Sequence, residues 1–76
     1  MTESRNELSG EELIVFESVA KLLAETGRDI FDEEIATDTD LRMSDVRAAL
    51  LALAGTHLEV MPREDGSITV TGVVVG

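Results

Sequence analysis

Seventy-six residues, 43% of them hydrophobic and 29% charged, make one small domain with no room for a second core. The chain has no cysteine and a single histidine, which excludes a disulfide framework, a thiolate metal site and a histidine-built zinc centre. Sixteen acids against six bases leave a net charge of −10, which opposes nucleic-acid binding, because neutralised phosphates supply most non-specific affinity for DNA. The acid is uneven: residues 1–40 hold twelve acids and three bases, a balance of −9, and residues 41–76 hold four and three, a balance of −1. The opening MTESRNELSG is polar and lacks a charged-then-apolar leader pattern. No apolar run approaches the roughly 18 residues that span a bilayer, and a soluble cytoplasmic protein is expected.

In chain order, residues 1–8 read as a frayed, disordered tail before a single domain at 9–76. Ser9 with Glu12 three residues on has capping-box spacing, and the helix it opens should run over about 10–26, with Gly27 suited to the left-handed position beyond its end. On a helical wheel the apolar residues of this segment cover an arc of about 200°, where one core-facing stripe needs little over 100°. Burial on two sides is the preferred explanation of the surplus. A subunit interface is the other, with Val15, Val19 and Leu22 as its candidate contacts.

Arg28 to Phe31 reads as a short extended segment, with Asp32 placed to cap a brief helix at about 33–38 whose first turn holds Glu33 and Glu34. A turn at Thr39–Met43 leads to Ser44 as a second cap and a helix at about 45–54, ending at Gly55. The segments at 58–61 and 67–71 alternate apolar and polar residues around P-R-E-D-G, a hairpin signal, and GVVVG then continues as strand or as an apolar edge. The fold class is therefore α+β, three helices with a C-terminal hairpin and a short strand near 28–31.

Helix, short strand, helix, turn, helix, hairpin, carried most firmly by I35-A-T-D-T-D-L-R-M-S-D-V-R-A-A-L50, resembles a winged helix-turn-helix domain over about residues 11–71. The resemblance implies buried roles for Ile35, Ala36, Leu41, Val46 and Leu50, and places Asp40 at a turn position often given to glycine. It also implies that the helix at 45–54 lies where DNA-binding relatives carry their recognition helix. Acyl carrier proteins share the size and acidity, but Ser44 in M-S-D lacks their attachment context and the C-terminal third is β-like.

On that helix, Arg47 alone of the outward residues has the paired donors that read base edges; the rest of the face is Ala48, Leu51 and Ala52, with Asp45. Arg42 before it and Arg63 at the hairpin tip could reach phosphates, but Asp32, Glu33 and Glu34 would meet the backbone with like charge. The expected role is a non-enzymatic acidic module acting through protein contacts, as a homodimer or an accessory regulatory domain, with Ala48, Leu51 and Ala52 as contact residues. The alternative is a DNA-binding transcription regulator using Arg42, Arg47 and Arg63. An acidic mimic of nucleic acid has only the charge behind it. No nucleophile–base motif, phosphate loop or cofactor site is recognisable, His57 reads as a partly buried spacer, and T-D-T-D-L lacks the ligand set of a calcium loop. No cofactor, metal, small-molecule substrate or membrane partner is indicated.

Overall fold

The computed structural model describes residues 10–74; the tail at 1–8, the Ser9 cap and the last two residues lie outside them. Six elements follow one another: α1 (Gly10–Thr26), β1 (Ile30–Phe31), α2 (Asp32–Thr39), α3 (Met43–Leu53), β2 (Leu58–Pro62) and β3 (Ile68–Val73). They form a small α+β domain of three helices and one three-stranded antiparallel sheet in the order β1-β3-β2.

Helix α1 has the expected bounds. It stops because Gly27 turns left-handed (φ 68°) and returns its N–H to the Leu23 carbonyl at 2.9 Å. Helix α2 is one residue longer at each end than the acid pattern indicated. Phe31, extended at φ −97° and ψ 153°, is its N-cap, and Asp32 is its first helical residue rather than its cap. The Phe31 side chain has no oxygen to offer the first helical N–H groups, and Glu34 accepts the N–H of the cap residue itself at 3.2 Å. The helix ends at Asp40, left-handed at φ 63° and ψ 27°, whose N–H bonds the Ala36 carbonyl at 2.8 Å.

Helix α3 begins two residues earlier than expected. Arg42 is its extended N-cap (φ −70°, ψ 149°) and accepts the Val46 N–H at 2.9 Å, so Ser44 lies inside the first turn and caps nothing. At its other end Ala54 is already extended, and Gly55 (φ 82°) belongs to the following turn. The hairpin is longer than the alternation indicated, with Val60, Met61 and Pro62 opposite Val70, Thr69 and Ile68, and a register shift between Glu59 and Val60. Strand β1 adds Ile30 opposite Val70 and Phe31 opposite Thr69.

One core joins the layers. Val15 and Val19 of α1 meet Ile35 of α2, Val46, Ala49, Leu50 and Leu53 of α3, and Ile30, Leu58, Ile68 and Val70 of the sheet's inner face. Ala36, Leu41, Leu22 and Leu23 pack against it from the helix side, Val60 and Val73 from the strands. Alternation along the strands therefore sends Phe31, Thr69 and Met61 to the opposite, outer face. Among the described residues no helix is long and apolar enough to cross a membrane.

Candidate functional site

The surface that matters is set by what holds Arg47. Its position on α3, one residue past buried Val46, puts the guanidinium beside the start of α2. Nε donates to Asp32 Oδ2 at 2.8 Å, and the same oxygen accepts the Ile68 backbone N–H at 3.0 Å. Asp32 is only 2% exposed. A carboxylate removed from water is tolerated where charge and hydrogen bonds replace its hydration, and here both do. The group thus ties α2, α3 and the hairpin at one point, with Gly66 of the hairpin turn lying 3.9 Å from Arg47 Nη1 as measured to the Cβ that an L-residue there would carry.

Beside Arg47, the outward face of α3 carries Ser44, Ala48, Leu51 and Ala52, all exposed, and Leu51 at 56% is the most exposed large apolar side chain among the described residues. Arg42 stands exposed at the helix start with no side-chain partner among the described residues. Arg63 is also exposed, its Nε donating to Thr69 Oγ1 at 3.0 Å. The three arginines are thus not equivalent: Arg42 has no side-chain partner among the described residues, and Arg47 and Arg63 are each held through Nε alone, Arg47 by a buried carboxylate with its side chain still 38% exposed.

Helix α1 requires a correction. Val15 and Val19 are fully buried in the domain's own core and offer nothing to another molecule, while Leu22 is half-buried at the α1–α2 seam. The wide apolar arc is explained by two-sided packing against α2 and α3, with Leu13 and Ile14 at its outer edge left exposed.

The acids divide in the same manner. Asp38 accepts from Lys21 Nζ at 2.6 Å and from Ser18 Oγ at 2.7 Å, which stitches α2 to α1. The Lys21 hydrogen bond, then that of Ser18, holds the Asp38 carboxyl below the usual carboxylate range, and the Asp38 contact raises Lys21. Glu34 receives Arg28 in a two-pronged pair, Nη1 to Oε2 at 3.0 Å and Nη2 to Oε1 at 2.9 Å, and its pKa is lowered chiefly by that bond. Of the three acids opening α2, only Glu33 is exposed. Two shallow grooves of about 450 Å³ and 390 Å³ follow the α1–α2 seam, lined by Leu22, Glu33 and Thr37 and by Ile14, Glu17 and Thr39, with Asp38 shared.

His57 packs edge-on against Phe16, ring centroids 5.8 Å apart, and its carbonyl accepts the Val74 N–H at 2.9 Å, so its contacts join α1 to the hairpin. Among the described residues no three His, Asp or Glu side chains converge as metal ligands. The sequence did not single out Phe31 and Met61, which stand 47% and 52% exposed on the outer sheet face with Thr69 between them. Only the strand register reveals them as neighbours, although the unbroken β-branched run I68-T-V-T71 marks the strand that joins them. Compared with protein-family profiles, curated proteins and solved structures, the chain matches none.

Proposed function

We propose that this chain is a winged-helix domain that works by docking on another protein through the outer face of α3, and that it does not read DNA. The winged-helix assignment is supported by the element order and by the left-handed Asp40 in the turn between α2 and α3. The docking role rests on one observation: Arg47, the sole outward residue of α3 able to make paired bonds to a base, is held through Nε on Asp32, and the rest of the exposed face is Ser44, Ala48, Leu51 and Ala52. Small side chains let another backbone come close, and Leu51 supplies an apolar anchor. Asp32 fixes the Nε edge of the guanidinium, so Arg47 could offer a base only its Nη atoms unless it left a carboxylate that is 2% exposed.

The test has two arms. In an amide-resolved titration with mixed duplex DNA at low and high salt, the residues around Arg42, Arg47 and Arg63 are expected to stay unshifted. Salt-sensitive shifts centred there overturn the proposal. In the second arm, Leu51→Asp is expected to keep the fold and abolish the complex that the wild-type domain forms with its host partner; equal capture by both removes α3 from the contact.

A further inference from the structure

We propose that the outer face of the sheet, centred on Phe31 and Met61, is a self-association surface that takes a second copy of this chain. The inference concerns a different face from α3 and stands without the docking role.

The strand register carries it. Phe31 and Met61 both lie opposite Thr69, on the two flanking strands. Residues directly opposite share a face, and strands about 4.8 Å apart put these two backbones about 10 Å from one another. Thr69 lies on the side turned away from the core and is nevertheless only 2% exposed. The side chains around it therefore close over it, and Arg63 satisfies its hydroxyl from above. The result is a continuous patch of one aromatic, one thioether and an arginine stem, bordered by Pro62 and by a concavity of about 470 Å³ running along Met61–Asp65.

Charge selects a second copy as the occupant. Met61 and Arg63, on the hairpin side of the patch, belong to residues 41–76, which sum to −1, while Phe31 belongs to the acidic half and precedes Asp32, Glu33 and Glu34. Two molecules of net charge −10 meet with least repulsion where their local charge is smallest. The rim is also self-complementary. The Nη atoms of Arg63 and the carboxylate of the adjacent Glu64 have no partner among the described residues, whereas Asp65 is taken up by the Ser67 N–H and hydroxyl at 2.9 and 2.6 Å. A two-fold axis through the patch sets Arg63 of each copy against Glu64 of the other, as an isologous contact requires. The apolar centre is small, so the pair is reversible rather than obligate.

The experiment is sedimentation velocity on the full chain over a concentration series, at about 0.05 and about 0.5 M NaCl. The expected result is a monomer–dimer equilibrium that strengthens several-fold with salt, as screening relieves repulsion between the two acidic bodies. Met61→Glu should abolish it, and Phe31→Ser should weaken it while leaving the fold intact, because serine suits the helix-capping position that Phe31 occupies; circular dichroism checks that both variants are folded. Arg63→Glu alone and Glu64→Arg alone should each weaken self-association, and mixing the two should restore a pair. Leu51→Asp should leave the equilibrium untouched. A chain that stays monomeric at every concentration and salt overturns the proposal. So does a dimer that survives Met61→Glu and Phe31→Ser but is lost in Leu51→Asp, which moves self-association to α3.

Discussion

Asp32 and Arg47 meet in one contact that ties α2, α3 and the hairpin together. If Arg47 is structural, its loss should appear in stability before it appears in any binding assay. Asp32→Ala strips the Ile68 N–H of its acceptor in a buried position and should cost about 1–3 kcal/mol, the usual penalty for an unsatisfied buried donor. Arg47→Ala leaves the Asp32 carboxylate with that single N–H and should cost at least as much, since an uncompensated buried charge is the more expensive remainder. The double variant should lose less than the sum of the two, by about 0.5–3 kcal/mol, because each single change already breaks the shared contact. Urea unfolding of the three variants measures this. Strict additivity would show that the pair is not coupled, and Arg47 would again be free for a ligand.

At the scale of elements, legibility followed how local the cause was. The α1 bounds, the left-handed Gly27 and the special geometry of Asp40 could be read from the chain because a helix period, a glycine and a turn residue act within a few positions of themselves. The burial of Asp32 could not, because its partners lie 15 and 36 residues away, and locally it is one more acid at a helix start. Val15 and Val19 were legible as apolar but not as inward. A wide arc says how much of α1 is apolar and not which edge α2 and α3 cover, and the uncovered edge proved to be Leu13 and Ile14. Phe31 and Met61 became a patch only through their shared register with Thr69, a pairing of three strands that no local pattern specifies. The α2–α3 turn gives the matching prediction. Asp40 sits at φ 63°, so Asp40→Gly should be neutral or slightly stabilising, while Asp40→Val should be about 1–2 kcal/mol worse than the glycine variant. Thermal midpoints of the two variants decide it, and equal values would mean that the turn relaxes to another geometry.

Across the whole molecule the acids act in two opposed ways, through the contacts they make and through the charge they add. Asp38, Glu34 and Asp65 are held below the usual carboxylate range by Lys21, Arg28 and Ser67 respectively. A carboxyl with a lowered folded value binds protons more readily when unfolded, so these three contribute stability at neutral pH and lose it as the pH falls through their folded values. Denaturation midpoints should therefore drop on acidification below about pH 4, the ordinary carboxylate range. At pH 7 the same abundance of acid is a burden, because most of it is concentrated in the first forty residues. Glu25 is the sharpest case: it is exposed in the last turn of α1, where the helix dipole disfavours an anion and no basic residue stands. Lys21, four residues earlier, is already engaged by Asp38, and lysine before glutamate is the weaker order for such a pair. Glu25→Lys should therefore raise stability by about 0.3–1 kcal/mol at low ionic strength, a few degrees in the midpoint of a domain this size. The gain should shrink at about 0.5 M NaCl, where charges more than several ångströms apart are screened. Thermal melts of both proteins at two salt concentrations separate the causes. A gain that persists in salt would come from helix propensity, and a gain that vanishes would show the wild-type domain to be strained by its own charge.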